Sequence, residues 1–458
     1  MSTPPRVLFL SAAGLPHAVG GRDVFMHELA RALRMRGVPV LCAYHQTPMH
    51  EPVGRYMHDG VDYAVLPAAE GERDRRHYFG RTAAAIPGFA ELLAGFRPDV
   101  LHLHDFGVSC GLPHLREAAG RGIRTVMTFH SPGQSCPQKA LRYRGRTPCD
   151  GELVYGRCSQ CRLSVQGVPI AAAAALARLP LRVLGIGYTS APMRLLTSPN
   201  ATKTEIDAWF EMVRLIDLMH THAKWVHDMV ALNNVPAAKL CLHRTGLPRP
   251  AVRVTPEADP AGRLRVAFLG RCDPVKGIEV LVAAVKRLSA DAPISVSFFG
   301  PYWSDAFGQS LLKIIAGDGR FEPPVLVPPT ELHRVWSRTD VLAVPSLWPE
   351  TGPLVALEAF AAGIPVVGSD LGGIPELVRD GVDGLLFPVG DAAALSTQLA
   401  RLLAEPGLLA RLRANVRPPR TLADLADDLL PEYCRMVAQW EITGGGDGMS
   451  LADPVAAS

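Results

Sequence analysis

Residues Pro345–Glu376 read PSLWPETGPLVALEAFAAGIPVVGSDLGGIPE, and the fold is read outward from them. Just before them, Asp340–Pro345 (DVLAVP) is a short apolar run, as in a strand covered on both faces. Trp348–Pro353 breaks the chain. Leu354–Ala362, rich in Ala, Leu and Glu, predicts a helix, with Pro353 at its first position and Thr351 or Gly352 as cap. Gly363 stops that helix, and Pro365–Gly368 starts the next strand.

Gly352, Pro353 and Leu354 mark a helix start, whose free N–H groups, those of the non-proline residues, and positive dipole end suit an anion. Glu350 lies just before it and Glu358 inside it. Carboxylates touching a phosphate would repel it. They suit vicinal hydroxyls on either side of a diphosphate, which describes a nucleotide sugar.

The chain has 458 residues, enough for two domains. Apolar content of 48% and charged content of 20% describe a globular chain, and a net charge of +3 demands no nucleic acid. The N-terminus MSTPPRVLFL lacks a signal-peptide core, which predicts a cytoplasmic protein with mostly reduced cysteines.

Arg6–Ser11, a loop carrying Gly20 and Gly21, a helix over Arg22–Arg36 and a strand over Val38–Tyr44 start a Rossmann-like unit. The loop lacks G-x-G-x-x-G, so no nicotinamide cofactor is indicated. Asp99–His104 and Arg124–His130 are strands that end in His104 and His130, where ligands of open α/β sheets collect. Glu205–Met219 reads as a helix, with His220–Thr221 beginning a link. A hinge is expected in the Pro-rich stretch 251–262. Leu264–Leu269 opens a second Rossmann-like unit, followed by Gly270-Arg271-Cys272-Asp273-Pro274-Val275-Lys276-Gly277. There Arg271, as a fork, and Lys276, as a point charge, are placed to reach a diphosphate.

Cys136, Cys149, Cys158 and Cys161 are spaced C-x12-C-x8-C-x2-C on a Gly-, Arg- and Pro-rich loop, which suits a structural zinc; free or redox thiols and an iron–sulfur cluster are the alternatives. Residues 168–196 are apolar with interspersed arginines: either a helix packed on the N-terminal domain or a peripheral contact with the inner face of a membrane.

The motif S-x-x-P-E-x-x-P-x-x-x-L-E-A, with Glu350 and Glu358 spaced E-x7-E, resembles the retaining glycosyltransferases of family 4. The resemblance covers most of residues 5–440 and implies a GT-B architecture, two Rossmann-like α/β domains facing each other across a cleft. It implies an acceptor domain over 1–250 with the cysteine insertion at about 131–165, and a donor domain over 263–415. A helix over 416–440 would cross back, leaving a disordered tail over 441–458. It further implies Glu350 on the donor sugar, Glu358 on the ribose, Arg271 and Lys276 on the leaving diphosphate, and His130 beside the sugar. Gly20 and Gly21 would face the donor, and Val327 the nucleobase. The implied reaction moves a sugar from a UDP-, GDP- or ADP-sugar to a hydroxyl acceptor with retention. No Asp-x-Asp occurs, so no catalytic metal is expected. A nucleotide-sugar epimerase of the same architecture and a non-catalytic binding subunit are the rivals. The donor, the acceptor and the oligomeric state are not named by the sequence.

Overall fold

The computed structural model describes residues 3–17, 20–46, 52–69, 83, 85–178, 191–248, 253–328 and 331–442. Of the tail expected over 441–458, Glu441 and Ile442 end the final helix and the rest lies outside these residues, as does the middle of 168–196.

Strands β1 (Val7–Ser11), β2 (Val40–His45), β3 (Gly54–His58), β4 (Val61–Leu66), β5 (Val100–Leu103), β6 (Arg124–Phe129), β9 (Leu218–Thr221) and β10 (Leu240–Leu242) form one sheet; the insertion carries a two-stranded hairpin of β7 (Arg142–Tyr143) and β8 (Thr147–Pro148). The eight-stranded order is β10-β9-β6-β5-β1-β2-β4-β3, parallel except for β3 on β4. A second, five-stranded sheet holds β11 (Leu264–Leu269), β12 (Ile294–Phe299), β13 (Val341–Val344), β14 (Val366–Ser369) and β15 (Gly384–Phe387), all parallel in the order β12-β11-β13-β14-β15. Strands such as β1 and β13 are buried along their whole length, because helices cover both faces of each sheet.

These orders place the site. The chain reverses its direction of sheet growth between β1 and β5 in the first domain, and between β11 and β13 in the second. A crevice opens at such a reversal beyond the strands' carboxyl ends. The loops emerging there carry Gly20–Gly21, His104, Arg271–Lys276 and Trp348–Pro353.

The final helix, Leu422–Ile442, returns to the first domain, burying Leu425, Leu429 and Tyr433 in the core beneath β1 and β2. Arg36 clamps it through Asp427 at 2.6 Å.

Several expected elements differ. His220–Thr221 is not a link but the end of strand β9. The long helix starts at Ala191 and runs through Pro199 to Leu215, rather than starting at Glu205. Val325, two residues before Val327, forms an isolated bridge with Phe299. The cysteine insertion is not featureless, since Tyr155–Val165 is a helix tied to the Ala191–Leu215 helix by the buried Arg162–Glu205 pair at 3.1 Å.

Candidate functional site

The loop after β13 is built around one carboxylate oxygen. Lys276 Nζ lies 2.7 Å from Glu350 Oε1. Ser346 Oγ and Trp348 Nε1 donate to the same atom at 2.9 and 2.8 Å. Burial alone would raise the Glu350 pKa, but Lys276 and these two donors outweigh it and hold the group below its ordinary value. Lys276 Nζ also sits 5.3 Å from the centre of the Trp348 ring, which fixes the ammonium from a second side.

Lys276 reaches this point because the chain between β11 and the Ile278–Arg287 helix turns tightly. Asp273 caps a single 3-10 turn through the Val275 amide at 3.0 Å, and Gly277 follows at φ +68°. A Cβ at Gly277 would stand 1.9 Å from the Pro345 carbonyl oxygen, so the two loops can pack only with glycine there. Arg271, on the same turn, is half exposed, its nearest acidic partner Asp273 at 3.8 Å.

Helix Leu354–Ala362 follows Glu350. Its cap is Pro353 rather than Thr351 or Gly352, so the proline stands one position outside the helix it was expected to begin. Among the described residues the Leu354 and Val355 amides have no hydrogen-bond acceptor. Across the cleft, helix Gly21–Arg34 begins at Gly21, and a Cβ there would lie 3.6 Å from Leu354 Cδ1. Two helix N-termini therefore face one small space, each with a positive dipole end. Gly352 packs tightly against the first domain, where a Cβ would meet Thr245 Cγ2 at 2.8 Å.

Glu358 has no such support. No hydrogen bond or ion pair holds its carboxyl among the described residues, and burial pushes its pKa up to about 7. Val327 is partly buried against the core beneath β13 and β14, in the same domain.

The first domain's wall is made of histidines. His130 Nε2 lies 3.1 Å from His104 Nδ1, and the His130 carbonyl accepts from Thr351 Oγ1 at 2.9 Å across the cleft. Deeper, Thr128 Oγ1 links His102 and His220 at 2.6 and 3.0 Å, and Tyr433 meets His102 Nδ1 at 2.7 Å. Burial, reinforced by the neighbouring imidazoles, holds His102, His104, His130 and His220 well below the ordinary histidine range. Burial lowers His222 to about 4. These rings are neutral at pH 7.

A latch that the sequence does not announce joins the domains. Helix Lys224–Leu232 begins after Ala223, which has no capping side chain. Glu376 of the other domain supplies the cap, accepting from the Lys224 and Trp225 amides at 2.7 and 2.9 Å and pairing with Arg244. Trp225 Nε1 then donates to the Glu350 carbonyl at 2.8 Å, which also accepts from the Gly373 amide at 2.7 Å. The sequence reading gave no site role to Trp225, Glu376, Arg244, Ser346 or Trp348. Only the W-P-E run beside Glu350 held a local signal.

The zinc site expected at the four cysteines is not shown. Among the described residues no group of three or more His, Cys, Asp or Glu side chains is arranged to hold a metal ion. Cys136, Cys149, Cys158 and Cys161 are free. Cys161 Sγ accepts the Arg144 amide at 3.1 Å, Cys149 Sγ donates to Asp150 at 3.7 Å, and Cys158 Sγ to the Glu152 carbonyl at 3.9 Å. Burial raises the thiols of Cys149, Cys158 and Cys161, Cys158 to about 12. Cys136 interacts electrostatically with Cys149, Cys158 and Cys161, so the four thiols lie near one another, with Cys158 and Cys161 on one helix. Among the described residues no helix is long and apolar enough to cross a membrane.

Comparison with known proteins agrees with this geometry. Residues 263–405 match the family described as "Glycosyl transferases group 1", and residues 19–150 match "Glycosyltransferase Family 4". A D-inositol 3-phosphate glycosyltransferase of Mycolicibacterium gilvum is 36% identical over 42% of this chain, a match spanning 43% of that relative's own length. One from Thermobispora bispora is 27% identical over 86% of this chain and 84% of its own. Sucrose-phosphate synthase from Thermosynechococcus elongatus superposes over 95% of this chain and 100% of its own with a TM-score of 0.62 at 20% identity. Anabaena HepE in complex with UDP-glucose does so over 96% and 100% with a TM-score of 0.57 at 14% identity. At these identities the solved structures establish the shared fold. The chain thus has a two-domain GT-B architecture, with its second domain similar to the group 1 glycosyltransferases and its first to glycosyltransferase family 4.

Proposed function

We propose that the protein transfers a sugar from a nucleotide diphosphate sugar to an acceptor hydroxyl with retention of configuration, without a metal at the leaving group. The observation that carries this reading is the Lys276–Glu350 pair set beside two opposed helix N-termini. The bond between the anomeric carbon and the diphosphate oxygen breaks, and charge grows on the diphosphate. Lys276, Arg271 and the free amides of Leu354, Val355, Gly21 and Arg22 supply donors for that charge without reorganising. A new bond forms from the acceptor oxygen to the same carbon, and the acceptor proton passes to a departing phosphate oxygen. Glu350, ionised and held through Oε1, accepts from sugar hydroxyls through Oε2; Glu358 reads the ribose. His130, neutral, orients the sugar and is not a general base. Retention is the course that the family implies.

Related folds have been solved with UDP, UDP-glucose and ADP, which supports a UDP- or ADP-sugar ahead of a GDP-sugar. Relatives named for inositol 3-phosphate bring a small polyol acceptor forward, beside glycans and lipid-linked saccharides. Nine free thiols fit a reducing, cytoplasmic setting.

The test incubates the full chain with labelled UDP-, ADP- and GDP-sugars and a hydroxyl acceptor panel. Formation of a glycoside with release of nucleoside diphosphate is expected. Epimerised donor, or no turnover of any donor, would overturn the reading.

A further inference from the structure

A cavity of about 440 Å³ lies where three parts of the chain meet: the cysteine insertion, helix Lys224–Leu232 and the loops beside Glu350. Its volume falls within the roughly 300–1,000 Å³ of small-molecule sites. None of the sequence motifs accounts for it.

Its walls are fixed. Trp225 lines it and is held by the bond from its indole N–H to the Glu350 carbonyl. Met229, one turn on, carries the insertion. Gly151 stands at φ +83°, and a Cβ there would lie 2.5 Å from Met229 Cγ. Buried Asn233 locks the same turn, donating to the Gly151 carbonyl at 2.9 Å and accepting from the Leu153 amide at 2.7 Å. The opposite wall is Pro349 with Gly372, packed so closely that a Gly372 Cβ would lie 2.7 Å from Pro349 Cα. A molecule in this cavity therefore lies one residue from Glu350.

The charge of the lining is one-sided. Asp150 and Asp228 supply its carboxylates, and no lysine or arginine lines it. The nearest cations are engaged, Arg157 with Asp150 at 2.6 Å and Lys224 with Asp228. An aromatic and thioether platform suits the C–H face of a saturated ring, and carboxylates suit hydroxyl or ammonium donors. A phosphate would meet two carboxylates and no lining cation, the nearest cations being already paired with those carboxylates.

We propose that this cavity is the acceptor subsite and that it takes a polyhydroxylated ring without a phosphate, with an amino-substituted ring preferred over a neutral one. This rests on the nucleotide-sugar reading above. It separates this chain from relatives whose names specify a phosphorylated acceptor.

The test uses the full chain, the nucleotide sugar it turns over, and four acceptors: D-glucosamine, D-glucosamine 6-phosphate, myo-inositol and D-myo-inositol 3-phosphate. The wild type should prefer each unphosphorylated acceptor at least tenfold in kcat/KM, mainly through KM. The double change Asp150→Asn, Asp228→Asn should bring that ratio close to unity. Leu232→Arg, at a half-exposed rim position that does not threaten folding, should move it toward the phosphorylated acceptors. A wild-type preference for the phosphorylated acceptors, or a ratio indifferent to both variants, would overturn the proposal, as would use of none of the four by a protein that turns over its donor on another acceptor. UDP titration keeps the two readings apart. If no nucleotide binds, the nucleotide-sugar reading itself falls; if nucleotide binds and the acceptor pattern is wrong, only the subsite falls.

Discussion

On the second domain's side of the cleft, Glu350 is kept ionised by Lys276, Ser346 and Trp348 converging on a single oxygen. On the first domain's side, His102, His104, His130, His220 and His222 are kept neutral by burial and by one another. One wall holds an ionised carboxylate in a fixed frame, and the other holds neutral imidazoles beside the Arg22–Asp105 pair at 2.6 Å. In the proposed reading the diphosphate lies between Lys276 and the two helix starts, and the neutral imidazoles face the uncharged sugar. Within the charged wall the contrast repeats, because Glu350 is paired and low while Glu358 is unpaired and raised.

Removing the fixed charge should have the largest effect. Lys276→Gln is expected to lower kcat by about 10²–10³-fold, the usual loss when one donor to a developing anion goes. Steady-state kinetics at constant ionic strength check it. A loss below threefold would mean that Lys276 only braces Glu350.

Glu358 gives the next effect. Its folded pKa, about 7, lies above its unfolded value. The stability it contributes is full below the unfolded value near 4.3 and is lost as pH rises through 7, a span of about 4 kcal/mol. Glu358→Gln should therefore raise the Tm at pH 8 relative to wild type and leave it nearly unchanged at pH 4, while weakening nucleotide binding. Equal Tm shifts at both pH values would show that Glu358 is already paired.

The neutral wall has the opposite sign. A buried histidine with a depressed pKa costs nothing above its unfolded value near 6.5, and destabilises the fold as pH falls from there toward its folded value. His222, lowered to about 4, should contribute a loss of about 1.4 kcal/mol per pH unit in that window. His222→Phe should flatten the decline of Tm between pH 6.5 and 4. An unchanged slope would assign the acid sensitivity to the other rings.

How much of this was legible depended on where the information lies. Buried strands followed by glycine loops and helices announce themselves, because apolar runs and breakers are local; Arg271, Lys276, Glu350 and His130 stood out for the same reason. Strand β9 did not, since LMHT is four residues long and half polar. Pro199 disguised the start of the long helix. The four cysteines advertised a metal, and what the structure shows there is a helix carrying two of them and thiols hydrogen-bonded to the loop, which no spacing rule encodes. Glu376 lies 152 residues from Lys224, whose amide it caps, and no local pattern encodes such a contact.

That cap gives the smallest expected effect. Glu376→Ala removes the acceptor for two helix amides and the partner of Arg244. It should cost about 1–2 kcal/mol, the usual worth of a helix cap. Because Trp225 ties the same helix to Glu350, KM for the donor should rise with it. Denaturant unfolding and donor kinetics on one preparation check both, and a stability loss with an unchanged KM would uncouple the latch from the charged wall.

The central claim, a diphosphate held between Lys276 and two facing helix starts, is tested most directly by calorimetric titration of UDP into wild type and Lys276→Gln at one salt concentration. The account predicts saturable binding to wild type at or below the millimolar range, and at least tenfold weaker binding to the variant. Equal affinity in the two proteins, or no binding of UDP, ADP or GDP to wild type at millimolar concentration, would contradict it.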